Sequence, residues 1–292
     1  MLAFAHILNF TLMIFVPVLL GVFLSKRVRS GWRLFGIGML TFVASQVLHI
    51  PFNNYLLVPA LKKIGLFNPE QTWLLVVFSL IIGLSAGIFE ECARYLVYRY
   101  WIKDARTWKE ALMFGAGHGG VEAILLGVLA MIAFGFLSIA ASNAFDLSGA
   151  LPADKMAGFQ SQLHMYWTLP WYTALMGALE RLFALAFHLS ASVIVLQAFR
   201  RRSLVWLGAA ILWHAALDGT AVFLGSVTSV YVTEAVVGLF ALVSIAIVFA
   251  LRDDDVPLSM RLQPVQPDLS PGISSEKSAA RLDAVEDSRY DG

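Results

Sequence analysis

Seven long stretches of mostly apolar residues divide the chain, and they limit its possible folds more than any other feature. A helix needs about 20 such residues to cross the hydrocarbon core of a bilayer. The stretches lie at residues 2–24, 34–58, 72–98, 110–140, 171–199, 203–224 and 229–251. Only 14% of the 292 residues are charged, whereas soluble domains carry about 25%. The sequence therefore predicts an all-α, polytopic transmembrane bundle of about seven spans in a lipid bilayer, and not a soluble enzyme or a nucleic-acid-binding protein.

The Lys and Arg residues near the span ends predict the orientation of the bundle, because short cytoplasmic loops are enriched in them. Eleven of these residues fall on one side of the membrane and three on the other. The larger group is Lys26, Arg27, Arg29, Arg33, Arg99, Lys103, Arg106, Lys109, Arg200, Arg201 and Arg202. The smaller group is Lys62, Lys63 and Lys155. We expect the N-terminus outside and the C-terminus in the cytoplasm, with the protein in the cell membrane.

Two segments differ from the spans in composition. Residues 141–170 have the composition of a long external loop, within which aromatic and apolar residues predict a short interfacial helix. Those residues are Phe159, Leu163, Tyr166 and Trp167. Residues 252–292 are acidic and rich in Ser and Pro, so we expect a disordered cytoplasmic tail. Residues 1–251 then form a single membrane domain.

The predicted spans contain ionisable residues that need an explanation. A charged side chain at mid-membrane costs about 2.5–3.5 kcal/mol on insertion scales. The residues concerned are His49, Glu90, Glu91, Arg94, His118, Glu122, Glu180, Arg181, His188, His214, Asp218 and Glu234. At a rise of about 1.5 Å per residue, four of the spans place such a residue roughly 12–18 Å from the nearest basic cluster. We therefore expect a polar cluster at one depth.

The third span ends in the motif Glu90-Glu91-x-x-Arg94. Arg94 lies one helical turn from both carboxylates, so one of them can form an ion pair with it. The other carboxylate is then available as a general base. The alternative is a cluster at the helix end whose long side chains reach toward the membrane surface.

The fourth span contains His118 and Glu122 one turn apart, among glycines at 115, 117, 119 and 120. Glycines on a membrane helix permit close packing or the approach of an extended peptide. They also weaken the helix, so a local break is possible. A packing face with an incidental hydrogen bond between His118 and Glu122 is the alternative.

The remaining polar residues suggest further contacts. Glu180 and Arg181 are adjacent and are expected to meet partners on other helices, for structure or for chemistry. In the sixth span Asp218 follows His214 by four residues and is expected to fix the tautomer of its ring. His49, close to Gln46 and Asn53, indicates polar packing or an entrance for water.

Carboxylates and histidines buried at one depth suit hydrolysis of an amide bond inside the membrane. A glutamate can activate water, and a histidine or a bound metal can polarise the carbonyl group. The sequence has no serine-protease signature, no pair of transmembrane aspartates and no His-Glu-x-x-His motif. A metal site assembled from His, Glu and Asp on several helices remains possible.

The combined pattern resembles the YhfC family of intramembrane proteases, most strongly over residues 70–220. It consists of Glu90-Glu91-x-x-Arg94, Gly117-His118-Gly119-Gly120-x-Glu122, His188 and His214-x-x-x-Asp218. That family is similar to the CAAX-prenyl-protease and bacteriocin-processing group and to PrsW. The resemblance implies a glutamate-type or metal-assisted endopeptidase that acts on a membrane protein or a lipidated peptide. It implies either no cofactor or a divalent metal such as zinc.

The resemblance also implies roles for the first two motifs. Glu90 becomes the general base, and Glu91 becomes the ion-pair partner of Arg94. His118 and Glu122 take the position of the second motif, where a glutamate at this spacing is similar to the PrsW pattern.

The resemblance implies that His188 and the motif His214-x-x-x-Asp218 complete the site. His188 and His214 compete for the histidine roles, with Asp218 orienting His214. Asp218 stands where the CAAX enzymes have asparagine, and an ionised carboxylate is a poor oxyanion donor. Two other classes of protein fit the buried charges: a proton-coupled secondary transporter, and a membrane scaffold without catalytic activity. The sequence shows neither an inverted repeat nor a pair of broken helices, the features that would favour a transporter.

Overall fold

A computed structural model describes residues 1–28, 31–67, 71–142 and 152–252. Within these ranges all regular structure is helical, and seven helical segments are long and apolar enough to cross a membrane. The segments are Leu2–Arg27, Trp32–Lys63, Thr72–Tyr100, Trp108–Ala141, Trp171–Arg200, Val205–Val227 and Val230–Ala250. The prediction of an all-α integral membrane bundle with seven spans is confirmed. The orientation of its termini stays a prediction.

Nine α-helices build the part of the chain that the structure describes. They are α1 (Leu2–Val28), α2 (Trp32–Phe52), α3 (Val58–Lys63), α4 (Thr72–Tyr100), α5 (Trp108–Ala141), α6 (Ala153–Thr168), α7 (Met176–Arg200), α8 (Val205–Val227) and α9 (Val230–Ala250). A π-helical turn over Asn53–Leu57 joins α2 to α3 within the second span, and a 3₁₀ turn over Trp171–Leu175 precedes α7. Residues 253–292 of the predicted disordered tail and residues 143–151 of the predicted loop lie outside the described residues.

Helix α6 contains the short helix that the aromatic residues of the connection predicted. It contacts the N-terminal span through Tyr166, whose ring stacks on His6 at 4.3 Å between centroids. The Tyr166 hydroxyl also lies 3.2 Å from Nδ1 of His6. A ring stack combined with a hydrogen bond holds α6 against α1.

The short connection between α4 and α5 is held by caps at both helix ends. Arg106 donates to the carbonyl oxygen of Tyr98 in the last turn of α4, where carbonyl groups lack partners within the helix. It also donates to the carbonyl oxygen of Ile102, just after the helix. Thr107 and Glu110 form a reciprocal capping box at the start of α5. These caps fix the connection between the third and fourth spans, which carry the first two motifs.

Helix α5 packs against α1, α2 and α7, while α4 packs against α8. The glycines of α5 make its contact with α2 possible. A Cβ atom on Gly117 would lie only 1.9 Å from the backbone oxygen of Phe35 in α2, so a larger residue cannot fit there. Helix α5 is continuous through its glycines. The glycines therefore serve close packing, which was one of the predicted readings, and they do not break the helix.

Candidate active site

Glu90 on α4 lies at the centre of the polar cluster. Nε2 of His118 donates to Oε2 of Glu90 at 3.0 Å, and Nε2 of Gln46 donates to Oε1 at 2.9 Å. The guanidinium group of Arg94 lies 3.8 Å from the same carboxylate. Glu90 is only 6% exposed, so these neighbours replace most of its hydration.

Glu91, the second carboxylate of the motif, is fully buried. One of its oxygens accepts hydrogen bonds from Arg94 and from Nδ1 of His214, the latter at 2.6 Å. The predicted pair between Glu91 and Arg94 is therefore present. Arg94 also donates to Nδ1 of His188 at 2.7 Å. This one guanidinium group thus connects α4 to α7.

His188 on α7 has a partner at each ring nitrogen. Its Nε2 donates to Glu122 at 2.6 Å, while its Nδ1 accepts from Arg94. The ring can lie this close to α5 because residue 119 is glycine: a Cβ atom there would be 2.5 Å from Cδ2 of His188. Glu122 therefore pairs across to α7, whereas His118, one turn away on α5, pairs with Glu90.

Arg181 on α7 donates to Glu122 at 2.7 Å and to Glu180 at 2.5 Å. The expectation that Arg181 meets a partner on another helix is confirmed. The same expectation for Glu180 is wrong, because its ion-pair partner is the neighbouring Arg181. The forked guanidinium group on a long side chain can bind a carboxylate on its own helix and one on α5 at the same time.

His214 on α8 lies between three carboxylates. Its Nδ1 donates to Glu91 at 2.6 Å, and its Nε2 lies 3.4 Å from Asp218 and 3.9 Å from Glu90. Sequence spacing pointed to Asp218 as the residue that orients His214, and that role stays a prediction. The hydrogen bond from His214 to Glu91 was not foreseen, because the two residues are 123 positions apart.

The structure brings all the predicted site residues into one connected cluster. They are Glu90, Glu91, Arg94, His118, Glu122, His188, His214 and Asp218. Gln46 is a member that sequence reasoning placed only in a separate group around His49. Its contact with Glu90 joins α2 to the site. An uncharged residue in a span costs less than a charged one, so Gln46 gave a weaker signal.

Two cavities reach the cluster from different directions, and both are lined in part by Glu90, Glu122 and Asp218. The wide cavity, of about 740 Å³, lies between α2 and α5 and has a mostly apolar wall. That wall includes Phe42, Val43, Val47, Ile50, Leu125, Leu126 and Leu129. The small cavity, of about 70 Å³, is lined mainly by polar residues, among them Arg181 and His214.

Three residues of the cluster could hold a metal ion. Donor atoms of Glu90, His118 and His188 all lie within 4.8 Å of one another, and the three side chains are buried. Two histidines and one carboxylate match the ligand set of a catalytic zinc site with an open fourth position. Nδ1 of His118 is also buried and has no hydrogen-bond partner among the described residues. The residues present therefore fit a divalent metal such as zinc.

Comparison with known proteins identifies the family. A family model described as "YhfC intramembrane metalloprotease" matches residues 12–241, which include every residue of the cluster. The chain belongs to the YhfC family. It is also 33% identical over 235 residues to the uncharacterized membrane protein YhfC of Bacillus subtilis (strain 168), a match that covers 79% of this chain and 88% of that protein. No solved structure matches the chain.

Membership of the YhfC family confirms the resemblance that the motifs indicated. The description of the family as metalloproteases agrees with the predicted divalent metal and with the donor set of Glu90, His118 and His188. The wider relation to the CAAX proteases and to PrsW stays a prediction.

Proposed function

We propose that this YhfC-family protein is an intramembrane endopeptidase in which Glu90 activates the water that hydrolyses the peptide bond. The observation that carries the proposal is the position of Glu90 in the wall of both cavities. A hydrolase needs such a place, because an apolar substrate and a water molecule must reach the same carboxylate.

The wide cavity suits an apolar peptide segment. Its wall is formed by aliphatic and aromatic side chains of α2 and α5, and its polar lining includes Glu90 and Asp218. Burial of apolar groups against this wall would hold the substrate beside the carboxylate. The substrate class we propose is a membrane-spanning or lipidated peptide.

The small polar cavity supports a route for water. Glu180 and Asp218 are its more exposed members, with side chains 43% and 37% accessible, whereas Glu90 is 6% exposed. Hydrophilic side chains therefore extend from partly exposed positions to the buried carboxylate. Water in this cavity would meet Glu90, which the cavity shares with the wide one.

The residues around Glu90 supply the groups that amide hydrolysis requires. Glu90 would take a proton from water as the oxygen attacks the carbonyl carbon, and would later pass that proton to the leaving amine. His118 holds one carboxylate oxygen in place by a 3.0 Å hydrogen bond. His214, whose Nε2 lies 3.9 Å from Glu90, would polarise the carbonyl oxygen.

In an alternative form of this mechanism Glu90, His118 and His188 would hold a divalent metal, and Glu90 would then serve as a ligand instead of as the general base. The chemistry such an ion supplies when bound is Lewis acidity toward a carbonyl oxygen and toward water. In the structure both ring nitrogens of His188 are hydrogen-bonded, to Arg94 and to Glu122, so His188 would give up one of these bonds to bind a metal.

The test is cleavage of a panel of transmembrane and prenylated peptides by the purified protein in liposomes, with products identified by mass spectrometry. We expect cleavage by the wild type and none by Glu90→Gln or His214→Ala. Glu234→Gln is the matched control, because Glu234 is also 6% exposed but lines a separate groove between α7 and α9. It should cleave as the wild type does.

Two results would contradict the proposal. Cleavage that persists in Glu90→Gln would remove Glu90 from the reaction. Proton-coupled solute flux that depends on Glu90, with no peptide cleaved, would instead favour the transporter.

A further inference from the structure

A chain of hydrogen bonds runs from α4 through α2 and ends on Glu90. Nε2 of Gln46 donates to Glu90 at 2.9 Å, and the Gln46 oxygen lies 3.3 Å from Nδ1 of His49. Nε2 of His49 lies 2.8 Å from the amide nitrogen of Asn53, whose oxygen accepts from Ser85 at 2.8 Å. The mechanism proposed above uses none of the four residues that lead to Glu90.

The carboxylate at the end of the chain sets the direction of every bond in it. An ionised carboxylate only accepts, so Gln46 must present its amide nitrogen to Glu90 and its oxygen to His49. Nδ1 of His49 must then carry a hydrogen, which leaves Nε2 as the acceptor for the amide nitrogen of Asn53. Each donor therefore points toward Glu90, and bonds aligned in this way strengthen one another.

The surroundings of the chain hold it in place. His49 and Ser85 are both buried, and the ring of His49 stacks on Phe89 at 5.2 Å between centroids. Asn53 begins the π-helical turn of the second span, two residues after Pro51. Turns of this kind occur frequently at functional sites.

We infer that Gln46 is a positioning residue that orients the Glu90 carboxylate, and that His49 and Asn53 hold Gln46 in its donating orientation. With Gln46 on one carboxylate oxygen and His118 on the other, the carboxylate is fixed from two helices. The inference rests on the proposed role of Glu90 in hydrolysis. It assigns to α2, which lines the wide cavity, a direct part in arranging the site.

The direction of the chain is measurable without any cleavage assay. Nuclear magnetic resonance of protein labelled with ¹⁵N-histidine in micelles reports which ring nitrogen carries hydrogen, and the His49→Phe variant identifies the signal. We expect a neutral His49 with its hydrogen on Nδ1. A hydrogen on Nε2 instead would overturn the chain of donation and with it the inference.

Kinetics then test the consequence for the reaction. Gln46→Met keeps the length of the side chain but removes the donor, and we expect kcat to fall about 10- to 100-fold while KM changes less. His49→Phe keeps the ring stack and should lower kcat by a smaller factor, because Gln46 can still reach Glu90. Gln197→Met is the matched control, since Gln197 is a buried glutamine on α7 outside the site, bonded to Arg201.

The outcomes separate the inference from the proposed function. If Gln46→Met keeps the kcat of the wild type while Glu90→Gln is inactive, the inference is overturned and the proposed function stays intact. A wild-type protein that cleaves no peptide would contradict the proposed function, while the tautomer of His49 would still decide the direction of the chain.

Discussion

The Glu91 carboxylate accepts a hydrogen bond from Nδ1 of His214 at 2.6 Å, which links α4 to α8 beside the candidate active site. The same oxygen accepts from Arg94, so one buried carboxylate serves a cation on its own helix and an imidazole on another. Glu91 and Arg94 are both fully buried. The ion pair between Glu91 and Arg94 therefore stabilises the bundle and, through Glu91, holds His214 in position.

Removing the cation from this pair should destabilise the fold. Arg94→Met leaves the Glu91 carboxylate buried without its counter-ion, and the expected loss in free energy of unfolding is about 3–5 kcal/mol. His188 should also move, since its Nδ1 loses the hydrogen bond from Arg94. The measurement is unfolding of the purified protein in mixed micelles with increasing SDS.

An exposed ion pair provides the control. Arg33 binds Asp104 at 2.6 Å, but both side chains are more than half exposed. Arg33→Met should change the free energy of unfolding by no more than about 1 kcal/mol. Equal stability of the wild type and Arg94→Met would show that the buried pair contributes nothing to folding.

Gly119→Ala should displace His188. The new methyl group would lie 2.5 Å from the ring, so the ring must move away from Glu122 and Arg94. Overpacking of this kind costs about 1–3 kcal/mol, and we expect peptide cleavage to be lost with it. Gly135→Ala on the same helix meets no atom within 4 Å and should leave both stability and cleavage intact. Full activity of Gly119→Ala would mean that the position of His188 is unimportant.

Zinc binding should depend on the three candidate ligands. We expect purified protein to contain zinc, and the variants His118→Ala and His188→Ala to lose it. Elemental analysis before and after chelation measures this directly. His164→Ala, which removes an exposed histidine of α6, should keep the metal. The same zinc content in all variants would mean that the ion binds elsewhere. Loss of zinc without loss of cleavage would favour the purely glutamate-based mechanism.

The distribution of Lys and Arg predicts opposite accessibility for two loops. After replacement of the single Cys92 by Ser, a cysteine introduced at Lys63 should react with a membrane-impermeant thiol reagent added outside intact cells. A cysteine introduced at Arg202 should react only after the membrane is permeabilised. The reverse pattern would place the N-terminus in the cytoplasm.

The location of the site was predictable because buried charges are costly. Glu90, Glu91 and Arg94 stand out in an apolar span, and the depth argument placed His118 and His214 at a similar level. The contacts among these residues were less predictable. His118 and Glu122 have the spacing of a hydrogen-bonded pair on one helix, yet each binds a residue of another helix.

The sequence by itself determined the seven spans and the polar layer. Long apolar runs can satisfy their backbone only as helices in a bilayer, and ionisable residues within them must gather together. The tertiary structure decided which carboxylate binds which histidine. That choice depends on how the helices rotate and how closely they approach, as where Gly117 lies against Phe35. It also brought Gln46 to Glu90, a contact between helices that no spacing along the chain encodes.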